Sequence, residues 1–89
     1  MSFDWDAANT EHIGLHGVTS DEAESVFYLA PKRLDSRNVN GEDRTVIVGP
    51  TDAGRLLVVV WMERNGAVRV VTAYQAKTKI RKWYAQGGS

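Results

Sequence analysis

An Asn-Gly pair constrains the fold of this chain more than any other feature of the sequence. Asn65 and Gly66 separate two runs of β-branched residues, and both tolerate the positive φ that a two-residue hairpin turn requires. The run before the turn is apolar over residues 56–62, which is typical of a strand covered on both faces. The run after it alternates, with Val68 and Val70 on one side. The sequence therefore predicts a hairpin at the centre of a sheet.

Helix signals come before this hairpin in the chain. Asp6 is a good N-cap for a helix over residues 7–16. Thr19 and Glu22 have the spacing of a capping box, which predicts a second helix over residues 20–29. The first helix must be held by packing because it has few apolar residues. These are Ala8, Ile13 and Leu15.

The same kinds of signal predict the remaining strands, turns and helix. In chain order they are a short strand or anchored arm over residues 2–5, an edge strand over 33–38, a turn at Asn40 and Gly41, a strand over 42–48 and a helix over 76–85. Two N-terminal helices, a three- to four-stranded antiparallel sheet and a C-terminal helix make an α+β fold.

The length of 89 residues predicts one domain, which we place at residues 1–86, with 87–89 as a flexible tail. The chain has no cysteine, which excludes disulfides and thiolate metal sites. Its first residues lack the basic and apolar regions of a signal peptide, and its apolar runs are too short to span a bilayer. We therefore expect a cytoplasmic protein without a membrane partner.

A formal net charge of zero conceals a division of charge along the chain. Residues 1–52 carry four basic and ten acidic side chains, whereas residues 53–89 carry seven basic and one acidic. Such asymmetry is typical of a surface that binds a polyanion. It is equally compatible with two halves of the chain that face and neutralise each other in the fold.

Most catalytic patterns have no support in this sequence. His12 and His16 are four residues apart, as paired zinc ligands on one helix face are. No third ligand or glutamate base accompanies them, so we interpret both as structural and expect no metal site. There is no phosphate-binding glycine loop and no serine in a nucleophile elbow.

The basic and aromatic residues of the C-terminal half are the remaining candidates for a site. Arginines on a rigid sheet can clamp a phosphate and stabilise the charge of a phosphoryl-transfer transition state, and aromatic rings can stack on an unpaired base. A solvated helix face with packing aromatics is the alternative. The candidates are Arg55, Arg69, Tyr74, Lys77, Lys79, Arg81, Lys82, Trp83 and Tyr84.

Three stretches of the chain resemble the BrnT family of toxins. They are WDAANTEHIGLHGVTSDEAESVF at residues 5–27, GPTDAGRLLVVV at 49–60 and VRVVTAYQA at 68–76. The resemblance implies a fold similar to that of the RelE group of bacterial toxins. It also implies an RNA-cleaving toxin of a type II toxin–antitoxin system. A cognate DNA-binding antitoxin, BrnA-like, would neutralise it, and promoter DNA would be bound only through their complex.

The resemblance also implies metal-independent chemistry without a cofactor, in which the RNA 2′-hydroxyl is the internal nucleophile. Arg55 and Arg69 match the two strand arginines of the family, and Arg81 and Tyr84 match a basic and an aromatic position of its last helix. We expect Arg55 and Arg69 to bind the scissile phosphate and Arg81 to hold a flanking one. Tyr84 is a candidate to stack on a base or to transfer a proton.

Further residues complete the predicted site. Like Tyr84, Tyr74 is a candidate for stacking on a base or for proton transfer. Lys77 and Lys79 are candidates to bind flanking phosphates. His16 is a candidate for substrate binding or acid–base catalysis. The chain departs from the family pattern at Leu15 and Tyr74, where many members have a base, and at a position of the last helix where an acid is usual. That position is Ile80. These losses leave two alternatives: a non-catalytic interaction module of the same fold, and a non-specific single-strand binder.

Overall fold

The structure is a computed structural model that describes residues 1–88, and over these residues it has three helices and a four-stranded antiparallel sheet. The predicted α+β class and order of elements are confirmed. The elements are α1 Ala7–Gly14, α2 Ser20–Tyr28, β1 Lys32–Val39, β2 Glu42–Pro50, β3 Leu56–Arg64, β4 Ala67–Gln75 and α3 Thr78–Ala85.

Two Asn-Gly turns organise the sheet. Asn65 and Gly66 have φ values of 53° and 78°, and Asn40 and Gly41 have φ values of 52° and 83°. Each pair therefore adopts the positive φ at both turn positions that twists a hairpin correctly. The strands follow one another in the order β1-β2-β3-β4. The predicted central hairpin and the predicted turn at Asn40 are both confirmed.

Two helix boundaries differ by two residues from those that the sequence predicted, and α2 ends one residue earlier than predicted. Helix α1 ends at Gly14 instead of residue 16. The residues after Gly14 form a turn, and this turn ends at Gly17, which has a φ of 73°. Helix α3 begins at Thr78 instead of residue 76 because the backbone N–H of Ala76 still donates to the carbonyl of Leu56 in β3, at 2.9 Å. The edge strand β1 is longer than predicted, since its pairing with β2 already begins at Lys32.

The sheet separates two apolar cores. The larger lies under α1 and α2, and the smaller lies between the opposite face and α3. Buried residues of the first core are Ile13, Val18, Ala23, Val26, Ile47, Leu57, Val59, Val70 and Ala73. Buried residues of the second are Val46, Val48, Val58 and Ala76. Because α3 packs over one end of its face, the other end of that face stays open.

The N-terminal arm is anchored to the edge of β4. Phe3 pairs in parallel with Val68, and the N–H of Asp4 donates to the carbonyl of Val68 at 2.8 Å. The Phe3 ring packs edge-to-face on Phe27 at 5.3 Å between centroids. The arm thereby covers part of an edge strand and brings its acidic residues beside the arginines of the sheet.

A β-bulge in β4 decides which way Arg69 points. The pairs Trp61↔Val70 and Val60↔Thr72 leave Val71 as the extra residue. Val70 faces the core under α1 and α2, and Arg69 takes the opposite face of the sheet because neighbouring strand residues alternate.

The end of the chain continues from α3. The N–H groups of Gly87 and Gly88 donate to the carbonyls of Tyr84 and Trp83, at 3.1 and 2.9 Å. Ser89, the last residue of the predicted tail, lies outside the described residues. The domain boundary at residue 86 and the flexibility of the tail stay predictions. No helix in the described chain is both long and apolar enough to cross a membrane.

Candidate functional site

Three arginines form a row across the open face of the sheet. Arg37 of β1 is the direct cross-strand partner of Arg44 in β2, and Arg69 of β4 is the partner of Met62 in β3. Arg44 precedes Thr45, which pairs with Trp61, so Arg44 lies opposite Met62. Like charges at such close positions repel one another unless anions neutralise them. The row therefore marks where the fold concentrates positive charge.

A carboxylate of the chain lies beside each arginine of the row. Asp35 Oδ2 is 2.8 Å from Arg37 Nε, and Glu42 Oε2 is 3.7 Å from Arg44 Nη2. The Arg37 guanidinium holds the pKa of Asp35 below its usual value, chiefly through this hydrogen bond. All of these ion pairs are at least partly exposed, so water and salt screen them. They neutralise the row without burying it.

The carboxylates of the N-terminal arm neutralise Arg69. Its Nη1 lies 3.1 Å from Asp6 Oδ2 and 3.6 Å from Asp4 Oδ1. The hydrogen bond from Arg69, followed by the one from the backbone N–H of Asn9, holds the pKa of Asp6 below its usual value. The predicted catalytic arginine is therefore engaged by the acidic end of the same chain.

A pocket of about 380 Å³ lies between this row and α3. Its apolar floor comes from the sheet and from Ile80 of α3, and its rim carries the basic and aromatic groups. Tyr74, Arg37 and Lys77 line the pocket and are exposed. An apolar floor with a basic and aromatic rim suits an unpaired base and its phosphate. The floor residues are Leu34, Val46, Val58, Val60 and Ile80.

Tyr74 also lies beside His16, one of a pair of histidines near β4. Its ring lies 6.1 Å from that of His16, which in turn lies 5.5 Å from that of His12. His12 Nε2 is 3.1 Å from Thr72 Oγ1. Among residues 1–88, no three His, Cys, Asp or Glu side chains come together in a metal-binding group. The predicted candidates His16, Tyr74 and Lys77 are thus brought to one region.

Arg55 lies beside α2, at the opposite end of β3 from Arg69. Its Nη1 is 2.9 Å from Glu22 Oε2 and 3.0 Å from the carbonyl oxygen of Gly17. It precedes β3, whereas Arg69 pairs with Met62 near the other end of that strand, about 20 Å away at the usual rise per residue. In this arrangement the two arginines do not meet, and the expectation that they bind one phosphate stays a prediction that needs them to come together. Their separate roles in RNA cleavage stay predictions.

The candidates on α3 are not gathered into the pocket. The Tyr84 hydroxyl donates to the carbonyl of Ala30 at 2.8 Å, and Lys32 Nζ lies 5.0 Å from the centroid of the Tyr84 ring. Tyr84 therefore ties α3 to the segment that follows α2. Lys79 and Arg81 are exposed on α3, and Arg81 lines a shallow hollow at the helix surface.

Arg37 and Arg44 are the functional candidates that the sequence reasoning missed. Both flank the Asn40-Gly41 turn, three residues before Asn40 and three after Gly41. A two-residue hairpin pairs residues that are equally distant from its turn. Applied to the predicted turn, this rule would have placed the two arginines side by side.

The fold and this face define a small α+β protein with an arginine-rich open sheet. The family model described as "Ribonuclease toxin, BrnT, of type II toxin-antitoxin system" matches residues 5–79, and the chain belongs to this family. The resemblance noted in the sequence is confirmed. The family is one of ribonuclease toxins, which implies RNA as the target and a protein antitoxin as the partner. No curated protein matches the chain.

Proposed function

We propose that the protein is a cytoplasmic endoribonuclease toxin that cleaves RNA without a metal ion or cofactor. A cognate DNA-binding antitoxin, BrnA-like, neutralises it, and promoter DNA is bound only through that complex. The observation that carries the proposal is that Tyr74, Arg37 and Lys77 line one pocket of about 380 Å³, with His16 beside Tyr74. Stacking, phosphate binding and proton transfer each find a suitable group there.

The reaction needs a base, an acid and stabilisation of charge on the phosphate. The RNA 2′-oxygen attacks the adjacent phosphorus as it loses its proton. The bond to the 5′-oxygen of the next nucleotide breaks, and that oxygen gains a proton. The products are a 2′,3′-cyclic phosphate and a 5′-hydroxyl. His16 and Tyr74 are the groups we assign to proton transfer, and Lys77 and Arg37 stabilise the charge on the phosphate oxygens.

The other predicted residues take supporting roles in this proposal. Arg69 contacts RNA beyond the pocket, and the exposed Lys79 and Arg81 attract flanking phosphates. Arg55 and Tyr84 hold α2 and the following segment in place through their contacts with Glu22 and Ala30. Their effect on cleavage is therefore indirect, through the position of the elements around the pocket.

Cleavage of a labelled RNA by the purified protein tests the proposal. We expect Tyr74→Phe and Lys77→Gln to slow cleavage on the order of 10² -fold, as loss of one proton-transfer or charge-stabilising group does. Lys82→Gln, which removes an exposed charge from α3, is the matched control and retains wild-type activity. Equal rates for all four proteins would contradict the assignment to the pocket. A requirement for added Mg²⁺ after treatment with a chelator would contradict the metal-independent mechanism.

A non-catalytic binding module of the same fold is the second candidate. Leu15, which stands where many family members have a base, is 84% exposed. Leucine in place of a base at this exposed position removes one contact that a nuclease could make with an RNA phosphate. A tight complex with the antitoxin, combined with intact RNA in the cleavage assay, would favour this function.

A further inference from the structure

A second hollow lies at the end of the open sheet face that α3 leaves uncovered. It has a volume of about 470 Å³ and is lined by one arginine from each of three neighbouring strands. These are Arg44 of β2, Arg64 of β3 and Arg69 of β4. Residues of α1, including His12, form its other side. Three arginine side chains thus line a space that is separate from the Tyr74 pocket.

Two of these arginines keep hydrogen-bond donors that the protein does not use. Arg44 Nε is buried and has no hydrogen-bond partner among residues 1–88. Arg69 Nη1 is buried as well, and within the same residues it forms ion pairs but no hydrogen bond. Leaving a charged donor buried without an acceptor is costly. An anion that displaces the neighbouring carboxylates, and lets these side chains turn towards the hollow, would supply better-placed acceptors.

The N-terminal arm already places anions at the edge of this hollow. Asp4 Oδ2 accepts a hydrogen bond from Arg64 Nε at 2.7 Å, and Asp6 Oδ1 accepts one from Arg69 Nη2 at 3.2 Å. The Asp6 side chain is 45% exposed whereas that of Arg69 is 14% exposed, so an external anion reaches the Arg69 guanidinium by displacing the Asp6 carboxylate. A phosphate matches the planar guanidinium fork as a carboxylate does.

We propose that Arg44, Arg64 and Arg69 form a phosphate-binding subsite for RNA, in which a backbone phosphate takes the place of the Asp4 and Asp6 carboxylates. The inference rests on the proposed function because it takes RNA as the polyanion. Tyr74 pairs with Val58 and Arg69 pairs with Met62, four residues further along β3. This separation of about 13 Å allows the pocket and the subsite to contact different nucleotides of one strand.

The continuity of the face favours RNA over an acidic protein segment. Arg37 lines the Tyr74 pocket and pairs with Arg44, which lines the hollow. The arginine row therefore connects the two spaces across the sheet. A groove that combines a basic track with an aromatic platform is typical of single-strand binding.

Binding of a 2′-O-methyl RNA tests the subsite separately from cleavage, because this RNA lacks the nucleophile. We expect Arg44→Gln to weaken binding five- to tenfold at low salt and to reduce the slope of log K against log salt by about 0.7, the value of one phosphate contact on a single strand. Arg33→Gln is the control, since Arg33 is an exposed arginine of the same strand pair that faces the other side of the sheet. It retains the wild-type slope.

A second variant is expected to change RNA affinity in the opposite direction, so it tests the subsite even if Arg44→Gln misfolds. Asp4→Asn removes one competing carboxylate and is expected to tighten RNA binding two- to fivefold. If Arg44→Gln and Arg33→Gln give the same slope and Asp4→Asn changes nothing, the subsite is refuted. It is also refuted if Arg44→Gln weakens binding of an oligoglutamate peptide but not of RNA.

The same assays distinguish failure of the subsite from failure of the proposed ribonuclease function. Suppose first that the protein is not a ribonuclease but has the subsite. In that case the wild-type protein leaves unmodified RNA intact but still binds the 2′-O-methyl RNA through Arg44. If the subsite fails, unmodified RNA is cleaved while Arg44→Gln keeps the wild-type salt slope.

Discussion

Arg55 holds both carboxylate oxygens of Glu22 with a single nitrogen. Its Nη1 lies 3.0 Å from Oε1 and 2.9 Å from Oε2. Glu22 is also the third residue of the capping box of α2, in which it accepts from the backbone N–H of Thr19. The arginine that the sequence assigned to RNA thus fastens the first turn of α2 to the start of β3.

Arg55→Ala should lower the free energy of unfolding by about 1–2 kcal/mol, the usual value of hydrogen bonds to a charged group that is partly exposed. Urea denaturation measures the change. A double-mutant cycle with Glu22→Gln should give a coupling energy above about 0.5 kcal/mol, because the two residues are in contact. Zero coupling, together with a large loss of RNA cleavage, would instead return Arg55 to the substrate.

Stability should fall in acid because of Glu22. Burial works against ionisation, but the backbone N–H of Thr19 and the Arg55 guanidinium outweigh it and hold the pKa of Glu22 below its usual value. Below the ordinary carboxyl pKa of about 4, the unfolded state binds more protons than the folded one. The contribution of this pair is therefore complete above that pH and is lost as the pH falls through the lowered pKa.

Urea denaturation between pH 7 and pH 3 checks this prediction. Glu22→Gln should be less stable than the wild type at pH 7, and the difference should shrink towards pH 3 as the wild-type carboxylate is protonated. The Asp6 carboxylate titrates in both proteins and so serves as an internal reference. A difference that stays constant over the whole range would rule out the ion pair as its cause.

Tyr84 and Tyr74 should separate stability from activity. Tyr84→Phe removes the hydroxyl that donates to the carbonyl of Ala30, a residue with a positive φ of 49°. We expect a loss of about 0.5–1.5 kcal/mol in unfolding free energy and unchanged cleavage by the folded protein. Tyr74→Phe should do the reverse, since Tyr74 lies at the pocket rim. Lost cleavage at full stability in Tyr84→Phe would place Tyr84 in the reaction.

Local signals account for the parts of the fold that the sequence predicts well. The hairpin at Asn65 and the capping box of Thr19 are each determined by residues within four positions of one another, whose φ preferences and hydrogen bonds act without the rest of the chain. The partners of Arg69 cannot be predicted from such local signals. Asp4 and Asp6 precede it by more than sixty residues, and the pairing depends on how the arm docks against β4.

Helix α1 shows the same limit in the core. Of its predicted apolar residues, Ile13 is buried whereas Ala8 and Leu15 are exposed. The polar Asn9 is 4% exposed instead. Its side-chain amide donates to the carbonyls of Asp4 and Val70, at 3.0 and 3.1 Å. Hydropathy does not reveal a polar residue whose acceptors are supplied by a distant strand and by the arm.

Gly49 should limit how closely α2 approaches the sheet. A Cβ at this position would lie 3.0 Å from Val26 Cγ1 and 3.2 Å from the Cα of Pro31. Gly49→Ala should therefore push α2 outward and reduce the unfolding free energy by about 1–3 kcal/mol, as overpacking of a core does. Denaturation in urea measures the loss, and a weakened Arg55–Glu22 coupling would follow from the same displacement.

Gly14→Ala is the matched control for this substitution. Gly14 is the last residue of α1, and a Cβ there meets no atom of the described chain within 4 Å. The change should stabilise the protein by about 0.5–1 kcal/mol, because alanine is the better helix former. If both alanines shift stability in the same direction, the contact of Gly49 with Val26 does not set the position of α2. If Gly49→Ala lowers and Gly14→Ala raises the free energy of unfolding by the expected amounts, the contact between Gly49 of β2 and Val26 sets how closely α2 packs on the sheet.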